Sequence, residues 1–86
     1  EVVVHALAAL AQVDPAIVRN IFGSGHAKPL VSLIWHAHLS MRVAFKIQTF
    51  LLKMPSHEVL PARGGIGFPL SREEMRWHLS YFNISA

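Results

Sequence analysis

Residues 11–21 read Ala-Gln-Val-Asp-Pro-Ala-Ile-Val-Arg-Asn-Ile, and residues 37–47 read Ala-His-Leu-Ser-Met-Arg-Val-Ala-Phe-Lys-Ile. The two stretches align without a gap, and these aligned pairs are similar: Ala11/Ala37, Val13/Leu39, Asp14/Ser40, Ile17/Val43 and Ile21/Ile47. Each copy is typical of a helix end, a short apolar turn, a capping residue and the start of a second helix. The repeat therefore predicts two tandem helical hairpins, an arrangement that usually builds scaffolds or binding surfaces.

Four helices are predicted around these two turns, at 1–12, from residue 15, at 28–38 and at 40–54. Pro15 stands in the first turn of its helix, where the missing N–H costs nothing. The helix at 40–54 is apolar on most sides, and its narrow polar stripe consists of Arg42, Lys46, Thr49 and Lys53. We therefore expect this helix to be the central core helix, with one basic edge in water.

The last third of the chain predicts an irregular connector and a fifth helix. Residues 61–70 contain several Gly and Pro residues, and we expect this segment to lay Ile66, Phe68 and Leu70 against the helices. Ser71 and Glu74 have the spacing of a capping box that opens the last helix. No stretch alternates as a strand does. The prediction is one all-α domain over residues 1–86, two hairpins closed by a C-terminal capping helix, at the end of a helical-repeat array.

The composition is apolar for a small domain. Of 86 residues, 52% are hydrophobic and 15% charged, where about 25% charged is usual. The helix at 1–12 has no cap and is apolar nearly all round, so we expect the C-terminal fragment of a longer protein. We also expect a homodimer through this helix, at Val2, Val3 and Leu7. The apolar run is too short to span a membrane, so no membrane partner is expected. The absence of cysteine favours the cytoplasm.

Reaction chemistry has little support in the sequence. Asp14 and Glu74 are explained as helix-start residues, which leaves Glu58 and Glu73 as too small a set for an acid–base pair. The histidines are His5, His26, His36, His38, His57 and His78. None has another histidine three or four residues away, so no metal site is predicted. We expect neither an enzyme nor a cofactor.

The tandem motif has a second interpretation, because a Ser-capped helix after a short turn is also how a helix-turn-helix DNA reader begins. In this interpretation Arg42, Lys46 and Lys53 contact DNA. Two observations disfavour it: Gln12 and His38 stand where the turn usually has Gly, and the 40–54 helix is too apolar for a wide polar face. The net charge of +3 permits nucleic-acid binding without indicating it.

A protein-binding surface is the functional prediction we prefer. Trp77 and Tyr81, with Arg63 and Arg76 near them in sequence, are of the residue types that dominate interface hot spots. Trp35 and Phe68 are better explained by core packing.

Two segments of the chain, 60–82 (Leu-Pro-Ala-Arg-Gly-Gly-Ile-Gly-Phe-Pro-Leu-Ser-Arg-Glu-Glu-Met-Arg-Trp-His-Leu-Ser-Tyr-Phe) and 39–48, carry a family resemblance. They resemble a family of uncharacterised bacterial, in particular alphaproteobacterial, proteins with a C-terminal helical domain of unknown function. His38 departs from the Gly that the family tends to have there. The resemblance implies a longer, mostly helical protein and carries over no functional residue. The function expected is a non-enzymatic interaction or scaffold module of a bacterial cytoplasmic protein, and the alternative is a DNA-associated regulator.

Overall fold

The computed structural model describes residues 2–85 and is all-α, as predicted. The helices are α1 (Val2–Ala11), α2 (Pro15–Ser24), α3 (Ala27–His36), α4 (Met41–Lys46) and α5 (Arg72–Tyr81). A π-helical turn (Ile47–Leu51) continues α4, and a 3-10 turn (Ser56–Glu58) precedes the connector. Within residues 2–85 there is no strand, and an isolated bridge joins Arg63 to Gly67.

The two copies of the tandem motif end their helices with the same hydrogen bond. The Val13 N–H donates to the Ala8 carbonyl at 3.0 Å, and the Leu39 N–H donates to the Ile34 carbonyl at 3.1 Å. This bond, which spans six residues, closes the Schellman motif and satisfies a carbonyl at the helix end. The repeat seen in the sequence is therefore a repeated helix ending, followed each time by an extended residue and a new helix.

Gln12 and His38 make this ending possible by adopting the left-handed conformation, with φ of 59° and 63°. The same conformation recurs after α5, where Asn83 has φ of 65° and the Ile84 N–H donates to the Leu79 carbonyl at 2.9 Å. This third occurrence was missed by the sequence analysis, because a Phe-Asn-Ile-Ser run does not resemble the first two copies closely.

The capping predictions are confirmed in part. Asp14 Oδ1 accepts from the Ala16 N–H at 2.8 Å, and Ser71 Oγ accepts from the Glu74 N–H at 3.1 Å. Ser40 makes no side-chain cap bond. Its carbonyl instead accepts from the Val43 N–H at 3.1 Å, so the start of α4 is held by the backbone.

The central helix is α3, and the prediction that the 40–54 helix takes this place is wrong. Helix α3 packs against α1, α2, α4 and most extensively α5. Seven of its residues are buried: Ala27, Pro29, Leu30, Val31, Ser32, Leu33 and Ile34. Because α3 is apolar on nearly all sides, it can be enclosed by four helices, whereas Phe45, Phe50 and Leu51 leave the α4 side exposed.

Helix α4 is also shorter than predicted. Its α-helical part ends at Lys46, and the π-helical turn closes with a bond from the Leu52 N–H to the Ile47 carbonyl at 2.8 Å. Lys53 has φ of 51°, so the chain has already left the helix before Pro55. Gln48, which is buried in this π-helical turn, binds the backbone of Leu60 through its side chain, so a tertiary contact holds the chain where the α-helix ends.

The first two helices meet at an angle, with α1 and α2 bent by 115° at their junction. The α1–α2 pair therefore forms a corner, closer to a helix–turn–helix than to two antiparallel helices. An array of stacked hairpins stays a prediction.

The connector turns sharply at Gly64 and Gly65, whose φ angles of 60° and 90° favour glycine. Phe68 and Leu70 pack against the core as predicted. Ile66 does not: its side chain is 87% exposed, because it lies at the tip of the turn between Arg63 and Gly67.

Candidate interaction surface

Helix α5 is amphipathic, and its exposed side includes two large aromatic residues. Met75 and Leu79 are buried against the core, whereas Trp77 and Tyr81 are 63% and 73% exposed. The two aromatic residues are four positions apart, so they lie on one face of the helix. Their rings are stacked, with centroids 6.2 Å apart and planes inclined by 18°. The pair forms an exposed aromatic platform.

This platform borders an open groove of ≈ 880 Å³. The groove is lined by residues 24–29 at the α2–α3 junction, by Glu58 and Leu60, and by Trp77, His78, Tyr81 and Phe82 of the α5 segment. Helix α5 can flank the α2–α3 junction because α3 and α5 form the most extensive helix contact in the chain. The lining of the groove is largely apolar, which is typical of sites that bind apolar groups.

The Lys28 ammonium beside the groove is already paired within the chain. Lys28 Nζ lies 3.3 Å from Glu74 Oε2, and His78 Nε2 lies 3.8 Å from the same oxygen. The Glu74 carboxylate therefore faces α3, and a return bond from it to the Ser71 N–H is not found among residues 2–85. His78 also meets Trp77 edge to face, at 5.0 Å between ring centroids. Binding at this site would therefore depend mainly on shape and aromatic surface, and less on unpaired charges.

The structure brings together two of the four residues predicted for the interaction surface. Trp77 and Tyr81 lie side by side, but Arg76 points elsewhere, with its guanidinium 5.9 Å from the centre of the Trp35 ring. Arg63 donates from Nη2 to the Pro69 carbonyl at 3.3 Å and so braces the connector. Neither arginine lines the groove. Both have intramolecular roles that closeness in sequence to Trp77 could not reveal.

The residues predicted for DNA contact are exposed but do not form one stripe. Arg42 and Lys46 lie one turn apart on α4, and neither makes an ion pair within residues 2–85. Lys53 lies outside the helix in a left-handed conformation, so its place in a continuous helical stripe is wrong. Residues 15–57 contain no Asp or Glu, which leaves this side of the chain without acidic neighbours in sequence.

The residues predicted for self-association are divided between surface and core. Val2 and Val3 are exposed, whereas Leu7 is 3% exposed and packs in the core with Val4 and Ala8. The prediction for Leu7 is therefore wrong. Leu7 lies one turn after Val3, on the edge of α1 that meets the core together with Val4, Ala8 and Ala11.

The side chains that could bind a metal ion do not cluster in the described part of the chain. Within residues 2–85, no group of three or more His, Cys, Asp or Glu side chains could hold a metal ion. Buried side-chain polar atoms in the same part of the chain all have hydrogen-bond partners, so none is left facing a site.

No single helix among the described residues has the length and hydropathy to cross a membrane, and α1 with α2 meets those two criteria only as a pair bent by 115°. Comparison with known proteins finds no matching family model, no matching curated protein and no matching solved structure. The family resemblance of the tail accordingly stays a prediction.

Proposed function

We propose that this protein is a non-enzymatic protein–protein interaction module, which works in the bacterial cytoplasm. Its binding surface is the Trp77–Tyr81 platform with the adjoining groove. The observation that carries the proposal is that two large aromatic side chains, 63% and 73% exposed, are stacked at the edge of an apolar groove. A partner segment with apolar side chains would fill the groove and cover both rings.

Energetics support a hot spot at this position. An aromatic side chain buries roughly 150–250 Å² when it is covered, which makes Trp and Tyr large contributors to interfaces. Because the two rings already stack on each other, less side-chain freedom is lost when a partner covers them. The neighbouring Lys28–Glu74 ion pair, 3.3 Å between its charged atoms, forms the kind of polar rim that surrounds such a centre.

The test is affinity capture of partners from a lysate of the host organism. The wild type and a Trp77→Ala, Tyr81→Ala double variant serve as baits. We expect the double variant to lose partners that the wild type retains reproducibly. A Phe45→Ala, Phe50→Ala variant is the matched control, because it removes two exposed aromatic rings from α4. It should retain the same partners.

Circular dichroism should show that both variants keep the wild-type helix content, since all four rings are exposed. Equal capture by the wild type and the Trp77→Ala, Tyr81→Ala variant would contradict the proposal. Loss of partners by the Phe45→Ala, Phe50→Ala control, but not by the Trp77→Ala, Tyr81→Ala variant, would contradict it as well.

Binding of double-stranded DNA is a second candidate function, and a specific observation favours it. Gln12 and His38 adopt the left-handed conformation, φ 59° and 63°, that a turn glycine would provide. The absence of glycine at these two turn positions is therefore compatible with a helix-turn-helix. Arg42 and Lys46, which are exposed on α4, would contact phosphates.

Titration against mixed-sequence duplex DNA at several salt concentrations tests this candidate. If both residues contact phosphates, the Arg42→Gln, Lys46→Gln variant should bind more weakly, and its salt slope should fall by about 0.9 per lost contact. Arg72→Gln, an exposed substitution on α5, is the control and should keep most of the affinity. Identical slopes for the wild type and the double variant would remove α4 as the DNA-binding element.

A further inference from the structure

Helix α4 and the turn that follows it combine exposed aromatic and basic side chains. Arg42, Phe45 and Lys46 are exposed on α4, and Phe50 is 75% exposed in the π-helical turn. Spacings of three and four residues place these side chains on one side of the segment. Leu51, the next residue, is also exposed. The side of this segment that faces away from the core is therefore both apolar and cationic.

The apolar part of this surface continues onto the start of α1. Val2 and Val3 are exposed, and they line the same open hollow of ≈ 400 Å³ as Leu51 and Leu52. The exposed members of this surface form what we call the apolar patch: Val2, Val3, Phe45, Phe50 and Leu51. Neighbouring exposed apolar side chains of this kind, with polar residues around them, are typical of interaction sites.

Positive charge accompanies the apolar patch. Arg42, Lys46 and Lys53 are exposed, and none of them forms an ion pair within residues 2–85. Residues 15–57 contain no Asp or Glu, so no acidic neighbour in this part of the sequence offsets the three cations. The whole chain carries a net charge of +3. The surface therefore suits a partner that is negatively charged on the outside and apolar just beneath.

An anionic lipid bilayer has this arrangement of charge and hydrocarbon. Its phosphate groups would pair with the three cations, while the apolar patch reaches the acyl chains. Duplex DNA has the same charge but no apolar layer to cover aliphatic side chains such as Val2 and Leu51. A second copy of the chain would bring two sets of unpaired cations together. We propose that the protein binds peripherally to anionic membranes, with the apolar patch inserted and Arg42, Lys46 and Lys53 at the headgroups.

Peripheral binding is compatible with the short apolar runs of the chain. The sequence predicts no membrane partner because these runs are too short to span a bilayer, whereas surface binding needs only exposed side chains. The hollow beside the apolar patch and the groove beside Trp77 and Tyr81 have no lining residue in common. Different variants therefore test the two surfaces.

Co-sedimentation with lipid vesicles is the first test. We expect the wild type to bind vesicles of phosphatidylglycerol and phosphatidylcholine, and to bind pure phosphatidylcholine about tenfold or more weakly, because the charge attraction is lost. The Phe45→Ala, Phe50→Ala variant should bind the anionic vesicles about tenfold or more weakly, since two rings no longer enter the bilayer. The matched control is Trp77→Ala, Tyr81→Ala, which removes two exposed rings from α5 and should bind like the wild type.

The cations are tested with the Arg42→Gln, Lys46→Gln variant, whose affinity for anionic vesicles should fall about fivefold for each cation removed. Absence of wild-type binding to anionic vesicles overturns the proposal, and so does binding that Phe45→Ala, Phe50→Ala leaves intact. Binding of duplex DNA without binding of anionic vesicles overturns it as well and assigns α4 to DNA. Self-association in light scattering that the same phenylalanine variant abolishes would assign the apolar patch to a second copy.

A fluorescent label measures insertion directly, because the chain has no native cysteine that would also react. Phe50→Cys, labelled with a polarity-sensitive dye, should shift its emission to shorter wavelength on addition of anionic vesicles, and nitroxide-labelled acyl chains should quench it. Ser80→Cys, at an exposed position of α5, is the control, and its emission should stay unchanged. A label at position 50 that remains in water while the protein is vesicle-bound would overturn the proposed orientation.

Discussion

At the scale of single residues, Gln48 is the most informative position. Its side chain is fully buried, and it exchanges two hydrogen bonds with Leu60: Nε2 donates to the carbonyl at 3.0 Å, and Oε1 accepts from the N–H at 2.8 Å. One amide thus satisfies both backbone groups of a residue that has no helix partner. It attaches the segment before the connector to the helical core.

We expect Gln48→Leu to lower the free energy of unfolding by about 1–3 kcal/mol, because two partly buried backbone groups lose their partners. Urea unfolding followed by circular dichroism measures the change. Thr49→Ala is the control: its hydroxyl donates to the Phe45 carbonyl at 2.9 Å on the outer side, and such a local bond contributes less than about 1 kcal/mol. A Gln48→Leu protein as stable as Thr49→Ala would contradict this account of the connector.

At the scale of elements, the left-handed helix ending recurs through the chain. It follows α1, α3 and α5, at Gln12, His38 and Asn83. The apolar residue after each one, Val13, Leu39 or Ile84, packs on the core, which is the hydrophobic contact that usually accompanies a Schellman motif. The turn is therefore chosen by the backbone and the apolar residue together, and the left-handed position itself tolerates several residue types.

The substitution His38→Gly should raise the free energy of unfolding by about 0.5–1 kcal/mol, since the strain of a left-handed side chain exceeds the extra entropy of glycine. Lys46→Gly is the matched control at an exposed helical position with φ of −64°, and it should lower stability by about 0.5–1 kcal/mol. Both are measured from urea midpoints. Destabilisation by both substitutions would show that the His38 side chain makes a stabilising contact.

At the scale of the whole molecule, the distribution of apolar side chains is the main result. The protein measures 30 × 27 × 19 Å, and a domain of this size cannot bury every apolar residue that it carries. Helix α3 receives the core position, and α1, α4 and α5 keep exposed apolar faces. The proposed Trp77–Tyr81 interaction surface belongs to this exposed apolar surplus.

This distribution predicts opposite outcomes for two large apolar residues. Leu33→Ala in α3 should lower the free energy of unfolding by about 3 kcal/mol, because it leaves a cavity in the core. Phe50→Ala, at a side chain that is 75% exposed, should change it by less than about 0.5 kcal/mol. Urea unfolding measures both. Similar losses for the two substitutions would contradict this account, because they would mean that the Phe50 side chain is buried in solution.

Local sequence patterns were enough to predict the helices and most of their ends. Asp14 and Ser71 stand before helices as caps, and the tandem motif marks two helix ends, because capping and turn formation depend on residues within six positions of each other. Trp77 and Tyr81 could also be selected from the sequence, since their residue types and four-residue spacing are visible there. The sequence could not show that Arg76 lies over Trp35 and outside the groove.

Which apolar faces are buried depends on contacts between helices that are distant in the chain. Both α3 and the 40–54 segment are apolar enough to be the core helix, and both faces of α1 are apolar enough to be the inner one. The local sequence does not distinguish between these choices. Packing settles them, because one helix can be enclosed by four neighbours only if those neighbours fit around it, and that fit depends on residues far apart in the chain.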